Sequence, residues 1–102
     1  MIPLEKVKSI VSKYEALEKE LASGAIDKKD FVKKSKEYSS IGEIIDQAHS
    51  YLVFEKEKNE LEKITEDKKS DSEMIQLAKN ELNDLIKKNQ NDEKILKVYL
   101  LP

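Results

Sequence analysis

The chain has 102 residues, a formal net charge of −2, 38% hydrophobic residues and 39% charged residues. That length supports one domain, and so small an apolar share leaves a thin core, the balance expected of long helices with narrow apolar stripes. The absence of cysteine excludes a disulfide framework, a thiolate nucleophile and a cysteine metal site, and no window approaches the roughly 20 apolar residues that span a bilayer.

The N-terminal segment Met1-Ile2-Pro3-Leu4-Glu5-Lys6 carries no signal-peptide core, so a cytoplasmic location is expected. Leu4, Val7, Ile10, Val11, Tyr14, Leu17 and Leu21 then mark one face of a first helix, with Pro3 near its first turn and Ser23-Gly24 as its stop. A second segment opens at Asp27, a good N-cap residue, and places Phe31, Tyr38, Ile41, Ile45, Ala48 and Leu52 at heptad-like spacing. Phe54, Leu61 and Ile64 extend a weaker stripe to about Asp67. Two readings stay open at Gly42: one continuous helix of roughly 40 residues and about 60 Å, or a break, for which Ser40 and Glu43 spell a capping box.

The last helix is expected to start from a second Ser-x-x-Glu pair, Ser70 and Glu73, with Lys68-Lys69 completing the end of the helix before it. Met74, Leu77, Ala78, Leu82, Leu85 and Ile86 form its apolar face. The stripe lapses at Asn89-Gln90-Asn91-Asp92 and resumes at Ile95, Leu96 and Val98, which predicts a stretch that is exposed or packs on something absent. The fold class is therefore all-α: an extended antiparallel helical hairpin braced by an N-terminal helix, with three helices, or four if the second breaks near Gly42. The apolar ending, Val98 to Pro102, reads as part of a longer protein, with residues 1–102 as a single helical domain.

Chemical motifs are sparse. His49 is the sole histidine, and its pairing with Asp46 falls short of a di-iron helix motif, which needs a second histidine helix. Glu15 with Lys19 and Glu62 with Glu66 have spacings ordinary on solvated helix faces. There is no glycine-rich phosphate loop, no Gly-x-Ser-x-Gly and no Cys/His pair, so no enzymatic activity, cofactor or metal is expected. Tyr14, Tyr38, Tyr51 and Tyr99 lie on or near apolar stripes and are expected to pack with their hydroxyls at the rim.

Charge is unevenly spread: residues 1–36 hold nine Lys against six acids, and residues 37–72 hold five against ten. Every basic residue is Lys, so the planar fork that reads guanine or grips phosphate in two places is missing, and sequence-specific DNA binding is not expected. Lys28, Lys29, Lys33, Lys34 and Lys36 crowd two turns of the second segment and are the candidate contacts to ribosomal RNA phosphates, against the plainer reading of a solvated face.

The order and spacing of several short motifs add a resemblance. Lys13-Tyr14-Glu15-Ala16-Leu17, Phe31 with Ser35-Lys36-Glu37-Tyr38, Glu73-Met74, Leu77-Ala78, Glu81-Leu82 and the closing Leu100-Leu101-Pro102 together resemble the N-terminal region of the bacterial peptide chain release factor 1 family, the class I factors of translation termination. Gly42-Glu43 departs from a proline-containing step expected in that family. The resemblance implies a modular protein whose later domains carry stop-codon recognition and a Gly-Gly-Gln motif for peptidyl-tRNA hydrolysis, neither of which occurs in this sequence. It also implies a docking arm whose partners are the ribosome, at the large-subunit stalk base, and the GTPase class II release factor, with a monomeric full-length factor and no membrane partner. The alternative is a stand-alone coiled-coil adaptor or dimerisation module. If Leu96, Val98, Leu100 and Leu101 pack on a later domain of a longer factor, a chain without that domain exposes them as a patch for self-association.

Overall fold

The computed structural model describes residues 1–101; Pro102, the end of the closing motif, lies outside them. Four helices follow one another: α1 Leu4–Ser23, α2 Lys28–Gly42, α3 Ile45–Glu66 and α4 Ser72–Leu100. α3 and α4 pack along their length as an antiparallel hairpin, α1 lies on α3, and α2 folds back on α1. The molecule measures 60 × 28 × 19 Å with a radius of gyration of 18.3 Å, against about 13 Å for a compact domain of this length.

The helix ends follow from local chemistry. Gly24 closes α1 with φ +70°, the left-handed conformation that favours glycine. The break near Gly42 is real, and it occurs without the capping box. Ser40 sits inside α2, its carbonyl accepts the Glu43 N–H at 3.3 Å, and the α3 N-cap position belongs to Ile44, at φ −124° and ψ 5°. Gly42 lowers helix propensity by about 1 kcal/mol relative to Ala, and the non-helical Ile44 lets α3 take a new direction, so no 40-residue helix forms. At α4 the cap is Asp71, not Ser70: its Oδ1 accepts the Met74 N–H at 2.8 Å. Lys68 and Lys69 lie in the turn beyond α3, which Asp67 closes by accepting the Lys69 N–H at 2.9 Å through its side chain. Asp27 does occupy the α2 N-cap position, but its side chain makes no capping bond.

The core gathers at one end of the hairpin. Val7, Ile10 and Leu17 of α1 meet Ile41, Ile44, Ile45, Ala48 and Tyr51, and α4 contributes Leu96. Ile2 is drawn into this core, its N–H donating to the Tyr51 hydroxyl at 3.0 Å. Phe31, Met74 and Leu77, expected on apolar faces, are instead exposed. They sit where α2 and the far end of the hairpin have no third layer to cover them. α4 runs unbroken through Asn89–Asp92; Gln90 and Asn91 are exposed, as the lapse in the stripe predicts, whereas Asn89 is half-buried and Asp92 is buried beside Ser50 and Phe54 of α3.

Candidate nucleic-acid interface

Helix α2 owes its orientation to residues at i, i+3, i+4 and i+7. Lys34, Glu37, Tyr38 and Ile41 turn toward α1, where Lys34 pairs with Glu20, Glu37 pairs with Lys13, and the Tyr38 ring stacks on Tyr14 with centroids 4.5 Å apart and planes 13° from parallel. Each ion pair holds its lysine above the ordinary range: the hydrogen bond to Glu37 is the main cause for Lys13, and that to Glu20 for Lys34. Tyr38 is pushed up to about 12, first by the hydroxyl of Tyr14, then by burial and the charge of Glu18.

The opposite face is thereby left to solvent. At about 100° per residue, Lys28, Lys29, Lys33 and Lys36 fall within about 140° of arc, and Lys34 lies about 100° beyond the nearest of them. All four are exposed, and among the described residues none makes an ion pair. Exposed Val32 lies among them, and Ser35, Ser39 and Ser40 share this side with Lys36 along a shallow depression ending at Glu43. The structure thus brings together four of the five candidate lysines and uses the fifth as a strut between α1 and α2.

Two lysines in the first turn of a helix face the positive end of its dipole, a locally unfavourable placement that Asp27 and Asp30 only partly offset. An array of ammonium groups and hydroxyls without a guanidinium suits the point-charge attraction of a phosphate backbone and not the reading of bases. It offers no nucleophile or general base held against a second catalytic group. Likewise, among the described residues no three His, Cys, Asp or Glu side chains cluster where they could hold a metal, and His49 is exposed on α3.

A family model described as the PCRF domain matches residues 10–102. The chain belongs to the PCRF domain family. Over its whole length this PCRF domain is 51% identical to peptide chain release factor 1 of Pelagibacter ubique (strain HTCC1062), of which it covers 29%, in the N-terminal part. It is 32% identical over 99% of its length to peptide chain release factor 1 of Bartonella tribocorum (strain CIP 105476 / IBS 506), covering 28% of that protein, and 31% identical over 96% of its length to that of Acholeplasma laidlawii (strain PG-8A), covering 27%. The chain therefore spans less than a third of the curated relatives it matches. No solved structure matches it.

Sequence reasoning missed the division of labour within the PCRF domain's lysine cluster. The signal was present: Lys34 shares the i, i+3, i+4, i+7 spacing of Glu37, Tyr38 and Ile41, and the other four do not.

Proposed function

We propose that this chain is the N-terminal helical domain of a class I peptide chain release factor acting in translation termination, and that it serves as a ribosome-docking arm. Stop-codon recognition and peptidyl-tRNA hydrolysis belong, on this reading, to the part of the protein outside it, and the domain itself holds no catalytic site. The relatives that it matches over 96–100% of its own length are peptide chain release factors 1. The observation that carries the docking role is the unpaired lysine face of α2, Lys28, Lys29, Lys33 and Lys36, set on an arm 60 Å long. Such a face attracts ribosomal RNA phosphates at long range, while the rigid helices supply reach and orientation. The large-subunit stalk base is the proposed docking site and the GTPase class II release factor a proposed neighbour there, with the full-length factor monomeric.

Cosedimentation with bacterial ribosomes over a salt series, using stalk-base-depleted ribosomes as the control, tests this reading. Binding is expected to need the stalk base and to survive moderate salt. Replacing Lys29, Lys33 and Lys36 by Ala should flatten the dependence of log affinity on log salt by about 1 per lysine removed, while Lys34→Ala lowers the melting temperature slightly and leaves affinity unchanged. Equal loss from both kinds of ribosome as salt rises would reduce the face to nonspecific charge attraction and sink the docking role.

The coiled-coil adaptor loses its main support in the hairpin itself. The seam of α3 that such a module would offer to another chain is filled by α4 of the same chain.

A further inference from the structure

The end of α4 carries an apolar surface that the domain itself does not cover. Val98 is 70% exposed, Leu101 69% and Leu100 37%. Beside them the junction of α2 and α3 and the last turns of α4 form a shallow groove, with Ile44, Ile95, Val98 and Tyr99 along it and Glu43 and Lys94 at its edges. Ile44 is buried at its base, and Ile95 and Tyr99 are half-buried. Within α4 no charged residue follows Lys97, so the closing turn presents aliphatic and aromatic surface with no solvating counterpart.

We infer that this groove is the docking site for the polypeptide that follows Pro102 in the full-length protein, so that the arm is held against its next domain by packing and not by a bare tether. The inference rests on the reading of this chain as the N-terminal domain of a longer factor; it does not depend on the lysine face meeting RNA. Three observations select that occupant. The matched part is only 29% of the Pelagibacter relative and lies in its N-terminal part, so most of that protein lies outside the match. The backbone leaves the helix at Leu101, with φ −66° and ψ 138°, while its N–H still donates to the Val98 carbonyl at 3.3 Å, so the onward chain starts beside the patch. A segment attached at that point meets the groove at an effective concentration of about millimolar, so a small contact suffices. A second copy lacks this advantage: a standard interface takes roughly 20–30 residues a side, and the patch offers far fewer.

The test uses the full-length protein with Val98→Cys, and Leu77→Cys as the exposed reference, Leu77 being 59% exposed and remote from the groove. Thiol alkylation is followed peptide by peptide by mass spectrometry over a dilution series. The expected result is alkylation at position 98 at least about tenfold slower than at position 77, unchanged by dilution. Equal rates at the two positions would overturn the inference while leaving the domain assignment intact. Protection that disappears on dilution would also overturn it, by making a second copy the occupant. A gene product whose intact mass ends at Pro102 would overturn both the inference and the reading beneath it.

Discussion

Asp92 is the single charged side chain in the core among the described residues. Burial pushes its carboxyl above the ordinary 3.8, and the charge of Lys88 one turn away only partly opposes this. Around it the α3–α4 seam is polar: Lys88 Nζ donates to Ser50 Oγ at 2.7 Å, and Gln47 Oε1 and Asn89 Oδ1 are buried without a partner. Because the folded value lies above the unfolded one, the native state favours the neutral acid. The stability linked to this group is complete below about pH 3.8 and is lost as pH rises through the folded value. Asp92→Asn should therefore raise the melting temperature at pH 7, with the gain fading as the pH approaches 4. Thermal unfolding of both proteins across that range checks it, and a gain that persists unchanged at pH 4 would contradict the assignment. Asp71 makes a contrasting case at the surface. Asp71→Ala removes the α4 cap and should cost about 1 kcal/mol, or about 4–8 °C in a domain of this size, while Ser70→Ala, which removes the residue favoured by motif alone, should change little.

Among the elements, α1 is held by its two ends in different ways. At its start, the buried Ile2 N–H reaches the Tyr51 hydroxyl, and Glu93 of α4 accepts from both the Met1 ammonium and Lys97 at 3.0 Å. Lys97 first, and the terminal ammonium second, hold the Glu93 carboxyl below its usual range. Farther along, α1 carries α2 through the stacked tyrosines and two ion pairs. Tyr51→Phe leaves the Ile2 N–H buried and unpaired, for which about 1–3 kcal/mol is expected, and urea unfolding monitored by circular dichroism would measure it. A loss below a few tenths of a kcal/mol would mean that Ile2 finds water in the variant. The helix boundaries themselves were legible to within a few residues, because Gly24, Asp27 and the polar run from Asp67 to Asp71 announce them through backbone chemistry. The capping partners were less so: neither Ser40 nor Ser70, each followed three residues later by Glu, caps a helix. At Ser40 the helix is ending instead of starting, and at Ser70 a better acceptor stands one residue later.

Taken as a whole, the molecule is an arm with its core at one end. α1 packs beside the base of the hairpin, whereas its far end is only two helices thick, which leaves Met74 and Leu77 exposed despite their place on an apolar stripe. Scattering in solution should return a radius of gyration near 18.3 Å for the monomer, well above the roughly 13 Å of a globule. The all-α class, the hairpin, the family and the basic cluster of α2 were all set by local information: apolar periodicity, turn residues and short motifs act between neighbours in the chain. Which lysines remain free, and that Asn89 and Asp92 turn toward α3, were decided only by tertiary packing. Each depends on what stands opposite a helix face, and a helix pattern carries its own face but not its neighbour's.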